Sequence, residues 1–86
     1  MLSFEFEFKK KIYHGLARVR ENTDQKLYAV TIMNGDLESL LYGKHLFCER
    51  NGVLAATSSD GSEEIRELQE SIGTSLSKIL VHEIVN

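Results

Sequence analysis

The sequence predicts an α+β domain: an antiparallel meander of four to five strands with one C-terminal helix packed on one face. Three observations carry this. Leu2, Phe4, Phe6 and Phe8 alternate with Ser3, Glu5, Glu7 and Lys9, the period-two pattern of a half-buried strand. Ile65, Leu68, Ile72, Leu76 and Ile79 recur at spacings of three and four, which puts them on one helical face. Between these segments lie short β-rich runs separated by turn-forming residues.

The first strand spans about 2–9 and the second about 12–20. A two-residue turn at Lys10-Lys11 would set Phe8 against Tyr13, Phe6 against Gly15 and Phe4 against Ala17, placing large side chains opposite small ones. It would also set His14 against Glu7. Lys-Lys is a poor type I′ turn, which leaves room for a slip or a longer loop. The polar run Glu21-Asn-Thr-Asp-Gln-Lys26 is a loop, with Glu21 and Lys26 paired across its mouth. A third strand over 27–33 then puts Tyr28, Val30 and Ile32 on the same face as Val19, Ala17 and Gly15.

Asn34-Gly35 ends that strand. The period changes at Leu37, Leu40 and Leu41, which predicts a helical turn over about 37–42, with Asp36 as N-cap and Gly43 after its end. Strands over 45–49 and 53–56 flank Asn51-Gly52, a strong hairpin signal. A polar linker, 57–62, leads into a helix over about 62–80, capped by Asp60 or Ser62. Ser77 falls with Arg66, Glu67, Glu70, Thr74 and Lys78 on the polar side of that helix. Beyond Leu80 the apolar stripe fails: Val81 and Val85 turn outward and Glu83 inward. The tail is therefore expected to leave the helix, as a short edge strand or a docking segment.

At 86 residues the chain is read as a single domain, 1–86. The net charge of −3 argues against general nucleic-acid binding, which needs an excess of Lys and Arg. A single cysteine excludes an intramolecular disulfide scaffold, and no apolar run reaches bilayer length. The expectation is a cytoplasmic protein that engages neither nucleic acid nor membrane.

His45 and Cys48 are metal-ligand types, but residues three apart on a strand face opposite ways, so neither a metal site nor a Cys–His pair is expected. Glu7 and His14 make a cross-strand pair without the cleft or third group that acid–base catalysis requires. No catalytic residue, cofactor or metal is assigned, and the chain is read as a non-enzyme.

The second sheet face is the informative remainder. Leu16, Thr31 and Met33 give it an apolar centre, ringed by Arg18, Arg20, Glu5 and Glu7, which is the anatomy of a protein–protein patch. The competing expectation is that the segment 36–42 folds over it. The function expected is a protein-interaction module, binding a partner or itself through Leu16, Arg18, Arg20, Thr31, Met33, Val81 and Val85. The alternative is a small-ligand domain with a pocket between helix and sheet or beneath 37–42, lined by Tyr28, Tyr42 and His45.

Overall fold

The alternation in the first residues becomes strand β1, Leu2–Phe8, with every apolar side chain inward and every polar one exposed. The structure, a computed structural model, describes residues 1–21, 26–58 and 61–85. Strands β2 (Lys11–Glu21), β3 (Lys26–Ile32), β4 (Leu46–Arg50) and β5 (Val53–Ala56) follow β1 in one antiparallel sheet of order β1-β2-β3-β4-β5. Helix α1 (Gly35–Leu40) lies between β3 and β4, and helix α2 (Glu63–Val85) follows β5. The fold is therefore the expected α+β meander, with five strands and the C-terminal helix on one face.

The first hairpin turns one residue earlier than expected. Lys9 and Lys10, at φ 51° and 65°, form the two-residue turn. Phe8 consequently pairs with Lys11, Phe6 with Tyr13, Phe4 with Gly15 and Leu2 with Ala17. Moving the turn by one residue moves the pairing by two, so every side chain keeps its face while changing its neighbour. Gly15 thus makes room for the ring of Phe4, not Phe6; a Cβ there would lie 2.6 Å from Phe4 Cζ. His14 correspondingly meets Glu5 rather than Glu7. Lys9 ion-pairs with Glu64 on α2, tying the turn to the helix.

Strands β2 and β3 pair as the apolar pattern requires: Gly15 with Ile32, Ala17 with Val30, Val19 with Tyr28 and Glu21 with Lys26. The β4–β5 hairpin closes through Asn51 and Gly52, both at positive φ, as an Asn-Gly turn demands.

Helix α1 is capped by Asn34, not Asp36. The Asn34 side chain accepts a hydrogen bond from the Leu37 N–H at 3.1 Å, because the chain turns into the helix two residues earlier than expected. Leu37 and Leu41 join the same buried cluster as Phe4, Phe6, Ile32 and Phe47. The segment 36–42 therefore extends the inner core and leaves the other sheet face uncovered.

Helix α2 begins after Ser62, whose Oγ accepts from the Ile65 N–H at 3.3 Å. The competing cap, Asp60, lies outside the described residues. Leu68, Ile72 and Leu76 are fully buried, with Ile79 packed beside them. The helical backbone continues to Val85, so the tail does not leave the helix at Leu80; hydrogen bonding within one continuous helix outweighs the broken stripe.

The sheet curls far enough for α2 to reach both of its outer strands. On one side the Ser71 hydroxyl donates to the Glu7 carbonyl on β1. On the other, the Leu54 N–H on β5 donates to Ser77 Oγ at 2.9 Å, and that hydroxyl donates in turn to the Gly73 carbonyl at 2.7 Å. Ser77 is thus half-buried against β5 instead of lying on the polar face. Gly73 lets the two backbones meet: a Cβ at this position would lie 2.4 Å from the Leu54 carbonyl oxygen. Gln69, the one buried polar side chain among the described residues, donates to the Lys44 and Ser58 carbonyls and pins both loops to the helix.

Candidate functional site: the outer face of the sheet

With both helices committed to the inner side, the outer face is what the fold leaves open. Register determines its members. In β1 and β2 they are Ser3, Glu5 and Glu7 beside Leu16, His14 and Ile12. Leu16, Arg18 and Arg20 of β2 then lie beside Thr31, Ala29 and Leu27 of β3. Because Tyr28 pairs with the fully buried Phe47 on the inner side, Leu46 and Cys48 fall on the outer side, next to Ala29 and Leu27. Ala55 and Val53 complete the face on β5 beside Cys48 and Arg50.

The centre of this surface is apolar. Leu16, Leu27, Ala29, Leu46 and Ala55 are half-buried and Cys48 is buried. Its basic rim is Arg18, Arg20 and Arg50, all exposed, and its acidic rim is Glu5 and Glu7, also exposed. Five of the seven predicted interaction residues converge here. Leu16, Arg18, Arg20 and Thr31 line one groove of about 350 Å³ together with Ala29 and His45. Met33, which is 67% exposed, lines an adjoining depression of about 660 Å³ that shares Leu16 with the first. The backbone of residues 81–85 is helical, and the interaction role predicted for Val81 and Val85 rests on side chains outside the described residues.

No family model, curated protein or solved structure matches this chain. The outer face must therefore be read from its own chemistry.

His14 Nε2 lies 3.7 Å from Glu5 Oε2, and both side chains are more than 60% exposed. The pair sits on open sheet surface. Strand β4 begins after His45, whose carbonyl accepts from the Val30 N–H at 3.0 Å, and His45 is among the residues that line the outer groove. Cys48 is a free thiol, and among the described residues neither it nor His45 belongs to a cluster of three metal-ligating side chains.

Tyr28, Tyr42 and His45 do not converge. Tyr28 is in the core, Tyr42 is 88% exposed after α1, and His45 belongs to the outer groove. A different cavity of about 360 Å³ lies between β5 and α2, with Val53, Leu54 and Ala56 on one wall and Arg66, Gln69 and Glu70 on the other. No helix among the described residues is long and apolar enough to cross a membrane.

Sequence reasoning missed the contribution of β4 and β5 to this face. The Asn-Gly turn shows which residues of those strands pair, but their facing follows only from the Tyr28–Phe47 contact, which joins distant segments.

Proposed function

We propose that this chain is a non-enzymatic protein-interaction module of the cytoplasm that engages its partner through the outer face of the sheet. One observation supports the reading above the rest: an apolar centre of the half-buried Leu16, Ala29 and Leu46, rimmed by Arg and Glu, is covered by neither helix. Such a centre loses water-exposed apolar area on docking, while the rim sets register and orientation. The free thiol of Cys48 suits a reducing compartment. A photo-crosslinking residue at Thr31 tests the reading in cells. The expected result is one discrete protein adduct, lost on Leu16→Glu and missing when the crosslinker is moved to Thr74 on the exposed side of α2. Free chain alone at Thr31 would overturn it.

The cavity between β5 and α2 favours a second reading, a small-ligand site. Its volume falls at the lower end of the range for ligand pockets, and apolar and polar groups face each other across it. A fragment library screened by NMR should then shift the amides of Ala56 and Thr74; shifts scattered over the surface would count against it.

A further inference from the structure

We infer that the occupant of the outer face is a second copy of this chain, stacked face to face about a two-fold axis that crosses the strands at Leu16. The inference rests on the interaction reading above and names its partner. The supporting feature is the symmetry of the charges about Leu16. Ser3 lies beside Leu16, Glu5 beside His14 and Glu7 beside Ile12, so the two acids sit one and two outward-facing rows from the Leu16 row. Arg18 and Arg20 sit one and two rows from it in the opposite direction along β2. Each row spans two residues, about 6.8 Å.

A two-fold axis parallel to the sheet and running across the strands through the Leu16 row exchanges these rows. It brings Glu5 over Arg18 of the second copy and Glu7 over its Arg20, with a sideways offset of one strand, about 4.8 Å, within the reach of an arginine. Every such contact occurs twice, as an isologous interface requires. The apolar residues of β2 and β3 nearest the axis obey the same operation, while Leu27 and Leu46 lie outside the contact. Leu16 meets Leu16 at the axis. Met33, held in the His14 row by its N–H to the His14 carbonyl at 2.9 Å, comes over Ala29, a large side chain against a small one. Curvature suits this geometry too: two convex faces meet along a strip, and β2 with its flanking side chains is such a strip. Alternation spaces outward side chains evenly on any strand; the sign pattern is what an unrelated partner would not require, with both acids on one side of the Leu16 row and both arginines on the other. Self-pairing does.

Sedimentation equilibrium from about 1 µM to about 1 mM tests the inference. The wild-type chain should dimerise, with affinity falling as salt screens the rim. Arg18→Glu/Arg20→Glu and Glu5→Lys/Glu7→Lys should each associate at least about tenfold more weakly, because each sets like charges opposite like. An equimolar mixture of the two should form a heterodimer, since every pair is then of opposite sign. A wild-type monomer throughout overturns the inference, as does a mixture of variants with wild-type circular dichroism that does not associate. Should the variants not fold, a wild-type dimer indifferent to salt overturns it. A monomeric chain whose Thr31 crosslinks to another protein ends self-pairing but leaves the interaction module standing. A monomer with no adduct at Thr31 ends both.

Discussion

Replacing Gly73 with alanine opposes two effects whose sizes can be compared. In an ordinary helix interior the change stabilises by about 1 kcal/mol, because glycine loses more backbone entropy than alanine. Here the new methyl carbon would sit 2.4 Å from the Leu54 carbonyl oxygen, while ordinary contact begins near 3.4 Å. The obstacle is backbone in a paired strand, so α2 must retreat from β5 by about 1 Å. Overpacking of this kind costs about 1–3 kcal/mol. The retreat also stretches the 2.9 Å bond from Leu54 N–H to Ser77, for about 1 kcal/mol more. The net expectation is a loss of about 2 kcal/mol, which in a domain of this size lowers Tm by ~10 °C. Gly35, the first residue of α1, is the control: nothing lies within 4 Å of its Cβ position. Gly35→Ala should raise stability by about 0.5 kcal/mol. Urea unfolding of both variants, followed by circular dichroism, measures the pair. A Gly73→Ala protein as stable as wild type, or more so, would refute the close approach of α2 to β5.

Further predictions concern the turn, the buried amide and pH. Lys10→Gly should stabilise by about 1 kcal/mol in urea melts, since a lysine held at φ 65° carries a steric cost that glycine avoids. Gln69→Ala should destabilise by about 1–3 kcal/mol, because the Lys44 and Ser58 carbonyls lose their buried donor; hydrogen exchange should quicken in both loops. The hydrogen bond to the Glu64 carboxylate raises the Lys9 ammonium above its ordinary value of 10.5. A raised folded-state value means that the pair's contribution is complete below 10.5 and is lost as pH climbs through the folded value. The urea midpoint should therefore fall on alkaline titration in wild type and fall less in Lys9→Gln.

The parts of this fold that were legible in the sequence are those in which one face is apolar over several residues. Phe4, Phe6 and Phe8 leave β1 a single orientation, and Leu68, Ile72 and Leu76 do the same for α2. The first turn was not legible, because pairing Phe4 with Gly15 or with Ala17 gives the same faces, and only turn geometry separates the two. Asn34 and Asp36 are both good caps, so composition could not choose between them. Gly73 and Ser77 read as weak helix residues until the strand that they accommodate is in place. At the candidate site, Leu16, Arg18 and Thr31 were visible through period-two alternation. Leu46, Cys48 and Ala55 were not, since their facing depends on the pairing of β3 with β4.

The attachment of α2 to both outer strands bears on how the protein comes apart. Ser71 and Glu7 are 64 residues apart, so the bond between them forms only when nearly the whole chain has been gathered. Contacts this distant slow folding and bind the two ends of the sheet into one event. If α2 lifts, the Glu7 carbonyl and the Leu54 N–H lose their partners together, and each outer strand bares one more backbone group to a neighbouring chain. Aggregation should then follow the frequency with which the helix detaches, a smaller excursion than global unfolding, and exchange at the Leu54 amide would time it.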